Sequence, residues 1–172
     1  AKKGRREAHL SDGETLEVNE FMAATGRRPN TASLGLEAIG VDCGERGEIK
    51  VDATSQTSVP SIYAIGDVTN RINLTPVAIA EGHAFADSEF GNLRRRADHV
   101  NVASAVFSQP PIASIGLSEA DAKKIYGEIT VFESQFRAMK NTISRRDEKT
   151  YMKLIVEKVS DLVVGVHMMG PD

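Results

Sequence analysis

The stretch YAIGDVTNRINLTPVAIAEG, residues 63–82, holds the residue pattern in this chain with the clearest chemical potential. A short apolar run ends at Gly66 and Asp67, and Thr75 and Pro76 then have the sequence of a helix start. Gly66 has no Cβ, so a ligand or another backbone can approach it closely. Asp67 would present its carboxylate at the carboxyl end of a strand, where α/β sheets bind ligands. Each hydrogen bond that it accepts from a sugar or polyol hydroxyl would contribute about 1.5–3 kcal/mol.

The helix predicted to begin near Thr75 adds a second binding feature. Thr75 can act as the N-cap, and Pro76 suits the first helical position, where its missing N–H costs nothing. The free N–H groups of Thr75 and Val77 would favour negative charge by about 0.3–1 kcal/mol. Together these features indicate a ligand with a hydroxylated chain and a ring that can become anionic. A strand cap followed by an unrelated helix explains the same residues equally well.

Hydrophobic periodicity and turn residues predict an α/β arrangement around this stretch. A hairpin is predicted over residues 9–24, with its turn at 11–14 because Asp-Gly is a common hairpin signal. The further predicted elements are a short strand at 21–24, a helical turn at 34–39 closed by Gly40, strands at 49–52 and 59–65, and a helix at 75–90 that stops at Gly91.

From about residue 98 the pattern changes to consecutive strands with short connections. Ser118 begins a helix in the manner of a capping box. The predicted strands are 102–107, 129–136, 151–159 and 162–169, with a rigid break at 109–111 and a tight turn at Ser160-Asp161. Such an order is typical of an antiparallel sheet, and therefore of a second domain of the α+β class.

Composition and charge exclude several functional classes. Hydrophobic residues make up 41% and charged residues 26%, which is enough to build a core. The net charge of −3 gives no basic surface for nucleic acid or anionic lipid, and no apolar run approaches the roughly 20 residues that span a membrane. No signal peptide opens the chain, and Cys43 is its one cysteine, so we expect a reducing compartment, the cytoplasm.

The familiar catalytic and phosphate-binding motifs are absent from the sequence. It contains neither G-x-G-x-x-G nor G-x-x-x-x-G-K-[ST], the two common phosphate-binding loops. A lone cysteine cannot form a redox pair or a C-x-x-C metal site, and the four histidines lack ligand spacing. We therefore expect no self-contained catalytic site and no metal site.

Several motifs in register resemble those of the flavoprotein pyridine nucleotide–disulfide oxidoreductases. They are ATGRRPNT (24–31), TSVPSIYAIGDV (57–68), LTPVAIAEG (74–82), ASAVFSQPPIASIGLSE (103–119), FRAMKNTIS (136–144) and VVGVHMMGPD (163–172). LTPVA is most similar to the branch that reduces glutathione disulfide with NADPH. Dihydrolipoamide dehydrogenases usually read L-A-H there, and trypanothione and thioredoxin reductases remain close alternatives.

The resemblance implies a domain organisation and two cofactors, FAD and NADPH. Residues 1–30 would be the tail of the NADPH domain, 31–97 the second segment of the FAD domain, and 98–172 a truncated dimer-interface domain with an antiparallel sheet and helices, through which a homodimer forms. The sequence has no initiator Met and its last predicted strand stops at a turn, so we expect a piece of a longer protein. The family's redox-active cysteine pair would lie outside residues 1–172, which alone should be inactive. A dimerisation fragment without cofactor is the alternative.

The resemblance also implies roles for single residues. Asp67 would bind a ribityl hydroxyl of FAD, and the N–H of Thr75, beside Gly66 and Leu74, would contact a flavin ring oxygen. If the helix end favours the reduced anion by about 1 kcal/mol, the two-electron potential rises by roughly 20 mV. The positions matched to the nicotinamide nucleotide are Gly26, Asn73 and Ala105, and those matched to the disulfide pocket are Ile79, His83, Phe107 and Met139.

The four positions matched to the disulfide pocket carry open alternatives. Without the resemblance, core packing explains Ile79, Phe107 and Met139 at least as well. His83 stands where several family members place an arginine that meets a substrate carboxylate. A neutral histidine is a poorer partner for a carboxylate, so we expect weaker recognition of the substrate at that point.

Overall fold

A hairpin opens the part of the chain that this computed structural model describes, residues 4–171. Strands β1 (Arg6–His9) and β2 (Thr15–Val18) pair antiparallel, which confirms a hairpin with the predicted turn, although its strands begin and end earlier than the predicted range of 9–24. In that turn the N–H of Glu14 donates to Asp12 Oδ1 over 3.0 Å. Residues 1–3 and 172, which the sequence assigned to the first and last domains, lie outside the described residues.

Three predicted strands in the first half are wrong. Residues 21–24 form no strand, and Phe21 and Met22 are 64% and 87% exposed. Residues 49–52 and 59–65 contribute only single bridges, Ile49 to Cys43 and Tyr63 to Gln56. In the last two segments the apolar pattern did identify buried residues, Ile49 and Ala64, but a strand also needs a neighbouring strand to pair with.

A small core nevertheless forms in this irregular region. Its buried residues are Val41, Ile49 and Ala64, and partly buried Leu36, Val51, Val59, Ile62 and Val68 pack against them. The predicted helical turn is present as a short 3₁₀ helix, Glu37–Ile39, closed by Gly40 at φ 79°. The left-handed conformation at that end is the one glycine adopts without steric cost.

Helix α1 (Thr75–Glu89) confirms the predicted helix, with a different N-cap. Its N-cap is Leu74 rather than Thr75, because the Leu74 carbonyl accepts the N–H groups of Val77 and Ala78, both over 3.1 Å. The helix ends at Glu89, and Phe90, its C-cap, is next to the predicted stop.

The second half is one antiparallel five-stranded sheet in the order β3-β4-β7-β6-β5, which confirms the expected domain class. The strands are β3 (Ser104–Val106), β4 (Ile112–Gly116), β5 (Ile129–Arg137), β6 (Lys149–Glu157) and β7 (Val163–Met169). Helix α2 (Glu119–Tyr126) contacts β5, β6 and β7, and α3 (Met139–Ser144) connects β5 to β6. The sequence did not predict β4 or α3, which are short and lie between stronger patterns.

The N-terminus of α2 is fixed to the sheet by charge. Ser118 is the N-cap, as predicted, and its hydroxyl accepts the N–H of Asp121 over 3.2 Å. Lys153 Nζ on β6 donates to Glu119 Oε1 over 2.8 Å. That hydrogen bond lowers the pKa of Glu119 and raises the pKa of Lys153.

The Glu119–Lys153 pair predicts a pH dependence of stability. Because folding lowers the pKa of Glu119, its contribution should be complete above the usual value of 4.5 and lost as the pH falls through the folded value. We expect Glu119→Gln to lower the melting temperature at pH 7, and we expect the difference from the unsubstituted protein to shrink as the pH falls from 4.5 towards 3. Thermal unfolding of both proteins between these pH values measures the effect, and a constant difference would contradict it.

Candidate functional site

The candidate site is a turn packed directly against the first half of α1. Residues Gly66–Thr69 form a short 3₁₀ helix, and Gly66 has φ 69°. A Cβ on Gly66 would lie 3.1 Å from the Ala78 Cβ, and a Cβ on Gly82 would lie 3.3 Å from Ile65 Cδ1. The sequence predicted a close approach at Gly66, and in the structure the approaching group is the helix.

Asp67 lies inside this turn rather than at the end of a strand. The run before it is not a strand, so the predicted delivery of the carboxylate by a sheet is wrong. The 3₁₀ turn presents it instead, with the Asp67 carbonyl accepting the Asn70 N–H over 3.1 Å. The Asp67 side chain is 54% exposed and lies 4.0 Å from Arg27 Nε. A carboxylate so exposed can accept hydrogen bonds from a hydroxylated ligand.

A cleft of about 160 Å³ brings Asp67 together with a second predicted residue, Asn73. Its lining residues are Arg27, Arg28, Pro29, Asn30, Asp67, Val68 and Asn73. Asn73 Nδ2 donates to Asn70 Oδ1 over 3.3 Å. The cleft therefore offers a carboxylate, an amide and guanidinium groups, a set suited to a ligand that carries hydroxyls and negative charge.

The N-terminus of α1 offers fewer donors than its sequence suggested. The N–H of Val77 donates to the Leu74 carbonyl, so the expectation that it is free is wrong. The N–H of Thr75 has no acceptor among residues 4–171, and Thr75 is exposed. One backbone donor at the positive end of the helix is thus available to a ligand.

Glu81 is the residue near this site that sequence reasoning missed. Its side chain is 1% exposed, and three groups reach it. Gly66 donates its N–H to Oε2 over 2.6 Å, while Arg71 Nη2 and His99 Nε2 lie 2.8 and 2.7 Å from Oε1. The sequence did contain a signal for this residue. Position 81 is four residues after Val77 and so lies on the same apolar face of the helix, where a carboxylate is unusual unless it is paired.

Arg71 extends this network back into the irregular core. Besides the contact with Glu81, Nη2 donates to Ser55 Oγ over 3.1 Å and Nε donates to Thr69 Oγ1 over 3.3 Å. Thr69 Oγ1 in turn donates to the Gly66 carbonyl over 2.8 Å. The turn that carries Asp67 is therefore held at both ends by polar contacts.

The remaining predicted residues lie at the surface in separate places. Gly26, with φ 103°, lines an open cleft of about 470 Å³ with Thr25 and three arginines (27, 28 and 46). Ala105 is exposed on β3. Ile79 and His83 share one exposed face of α1, because residues four apart stack on a helix.

Phe107 and Met139 are 92% and 85% exposed, and Ile79 is 54% exposed. Core packing within residues 4–171 therefore does not explain these three side chains. The structure brings Asp67, Asn73 and the start of α1 to one region, whereas Phe107 and Met139 lie on the sheet-bearing half.

Residues 4–171 show neither a metal-binding cluster nor a membrane-spanning helix. They hold no group of three or more His, Cys, Asp or Glu side chains arranged to bind a metal ion. None of the helices in this range has both the length and the apolar character needed to cross a membrane.

Comparison with known proteins identifies two matching family regions. Residues 1–82 match the family described as pyridine nucleotide-disulphide oxidoreductase, and residues 102–172 match the dimerisation domain of that family. Among solved structures, the HOCl-induced flavoprotein disulfide reductase RclA from Escherichia coli superposes with a TM-score of 0.87 at 28% identity. That match covers 98% of this chain and 39% of RclA.

Curated relatives align along nearly the whole chain. Glutathione reductase of Burkholderia cepacia is 53% identical over 99% of this chain and 38% of its own length. The chloroplastic/mitochondrial glutathione reductase of Pisum sativum is 53% identical over 90% of this chain and 28% of its own length. Trypanothione reductase of Trypanosoma congolense is 45% identical over 97% of this chain and 34% of its own length. The chain thus spans about a third of the length of these relatives. On these two family regions and relatives, the chain belongs to the pyridine nucleotide–disulphide oxidoreductase family.

Proposed function

We propose that the full-length protein is a flavoprotein that reduces glutathione disulfide, with NADPH as the electron donor. The balanced reaction consumes NADPH, one proton and the disulfide, and yields NADP⁺ and two thiols. The observation that carries the cofactor proposal is the cleft that Asp67 shares with Asn73, which lies two residues before Thr75 and its free N–H. The substrate proposal is supported by the relatives named glutathione reductase, at 53% identity.

FAD fits the polar groups that this part of the chain offers. Asp67 would accept a hydrogen bond from a ribityl hydroxyl, and Thr75 would donate its N–H to an oxygen at the pyrimidine edge of the flavin, beside Leu74. Gly66 lets the turn that carries Asp67 pack directly against α1, the helix that begins at Thr75. Bound FAD would pass electrons from NADPH towards the disulfide, through a cysteine pair outside residues 1–172.

The other predicted residues would serve NADPH and the disulfide. Gly26, Asn73 and the Ala105 backbone are proposed to approach the nicotinamide nucleotide. Ile79, His83, Phe107 and Met139 are proposed to line the disulfide pocket, and the exposure of the three apolar side chains is compatible with this role. The same proposal includes domain limits at 30/31 and 97/98. It also includes a homodimer formed through the sheet-bearing half, which the match to the dimerisation domain supports.

Trypanothione disulfide is the second candidate substrate. Relatives named trypanothione reductase, from Trypanosoma congolense and Leishmania donovani, are 45% and 43% identical over 97% of this chain. The two substrates differ in charge, because trypanothione joins the glutathione units through a cationic polyamine. A comparison of kcat/KM for the two disulfides separates these candidates.

The purified full-length protein provides the direct test. We expect flavin absorbance in the isolated protein and consumption of NADPH that depends on added glutathione disulfide. A protein that carries no flavin and cannot be reconstituted with FAD would overturn the cofactor proposal. A flavin-loaded protein that leaves glutathione disulfide unreduced would overturn the substrate proposal alone.

Asp67→Asn should weaken FAD binding. The amide keeps the shape of the side chain and can still accept a hydrogen bond, but it loses the charge that makes such a bond about twice as strong, a loss of about 0.8–1.5 kcal/mol. Titration of the apoprotein with FAD should show roughly a 4- to 12-fold weaker affinity. Asp42→Asn, an exposed carboxylate elsewhere in the chain, is the matched control and should bind FAD normally. Equal affinities in both variants would rule out the proposed contact.

His83→Arg should improve recognition of glutathione disulfide. A permanent guanidinium pairs with a substrate carboxylate better than a neutral imidazole does, by about 1 kcal/mol at an exposed site. We expect KM to fall roughly fivefold with kcat little changed. His9→Arg, an exposed histidine on β1, is the control for added charge. An unchanged KM in His83→Arg would exclude the carboxylate contact.

A further inference from the structure

The buried carboxylate of Glu81 has a consequence for the proposed flavin site. We propose that Glu81 is a positioning residue, which holds the Asp67 turn against α1 at the separation that FAD requires and ties both to the linker before β3. The inference rests on the proposed function, because it concerns how the cofactor contacts are arranged. Glu81, Arg71, His99 and the N–H of Gly66 together form the Glu81 cluster.

A carboxylate at this position must be satisfied by its neighbours. The Glu81 side chain is 1% exposed, and burying an unpaired carboxylate is strongly unfavourable. Each oxygen has a partner: Oε2 accepts the Gly66 N–H, and Oε1 lies within hydrogen-bond distance of Arg71 and His99. The buried carboxylate is therefore stable in this position only while all three groups keep their contacts with it.

The partners of Glu81 lie on both sides of Asp67 in the sequence. Gly66 immediately precedes it, and Arg71 follows two residues after the turn ends at Thr69. Glu81 itself is on α1, the helix whose first residue is Thr75. One side chain thus fixes the relative position of the proposed ribityl acceptor and the proposed ring donor.

His99 connects the cluster to the second half of the molecule. Its Nε2 lies 2.7 Å from Glu81 Oε1, and its side chain is 27% exposed. Residue 99 belongs to the segment between α1 and β3, just before the dimerisation-domain match begins at residue 102. The Glu81 cluster therefore joins the proposed flavin turn to the chain that enters the sheet.

Glutamine cannot replace glutamate in this arrangement. Its amide presents one acceptor and one donor, whereas Gly66 and Arg71 both donate, to different oxygens of Glu81. In either orientation, the NH₂ group of the introduced glutamine would face another donor. Glu81→Gln is therefore nearly isosteric but must break the contact on one side.

The test uses the full-length protein with Glu81→Gln and Asp87→Asn as the matched control. Asp87 is also on α1, but its ion pair with Arg95 is at the surface, with side chains 35% and 62% exposed. We expect Glu81→Gln to weaken FAD binding roughly 5- to 100-fold, the cost of mispairing a buried polar group. Its flavin potential should become more negative, and the control should match the unsubstituted protein in both measurements.

A double-mutant cycle separates positioning from general destabilisation. If Glu81 acts by placing Asp67, the Glu81→Gln/Asp67→Asn double variant should lose less FAD affinity than the sum of the single losses. Fully additive losses, or a Glu81→Gln affinity equal to that of Asp87→Asn, would overturn the inference. If Glu81→Gln does not fold, His99→Gln takes its place in the same cycle. We then expect FAD affinity to fall roughly two- to fivefold. Additive losses with Asp67→Asn, or an affinity equal to that of Asp87→Asn, would again overturn the inference.

The outcomes also distinguish this inference from the proposed function. An unsubstituted protein that binds no FAD contradicts the proposed function. If the unsubstituted protein binds FAD, and Asp67→Asn weakens that binding while Glu81→Gln does not, only the proposed role of Glu81 is contradicted.

Discussion

The buried carboxylate of Glu81 is the interaction on which the arrangement of the first half depends. It lies on the inner face of α1, one helical turn after Val77, where an apolar side chain is the usual choice. An apolar residue would leave the Gly66 N–H and the Arg71 guanidinium without this acceptor. The carboxylate satisfies both donors, and so it connects an irregular turn to a regular helix.

This connection matters because the first half has little regular structure to stabilise it. Its core contains only a few buried apolar residues, and single bridges stand where a sheet was expected. Polar contacts from Arg71 to Ser55 and Thr69 add order where no ladder of backbone hydrogen bonds exists. The sheet-bearing half is different, since five strands are joined by backbone hydrogen bonds from each to its neighbour.

Local signals predicted the parts of the fold that depend on neighbouring residues in sequence. The Asp12-Gly13 turn, the left-handed Gly40 and the start of α1 all followed from short motifs. The strands at 49–52 and 59–65 failed because pairing depends on distant partners that periodicity does not reveal. For the same reason Glu81 was missed, because its partners at positions 66, 71 and 99 meet it only in three dimensions.

The two glycines at the contact between α1 and the segment before it have a further effect, on motion. Gly66 lies against the Ala78 side chain, and Gly82, on the helix, lies against the end of the Ile65 side chain, so the two surfaces approach more closely than a Cβ at either glycine would allow. Surfaces in such close contact cannot slide past one another without steric overlap. The turn and the helix should therefore fluctuate as a single body, and a ligand that bridges them would lose little configurational entropy from the protein on binding.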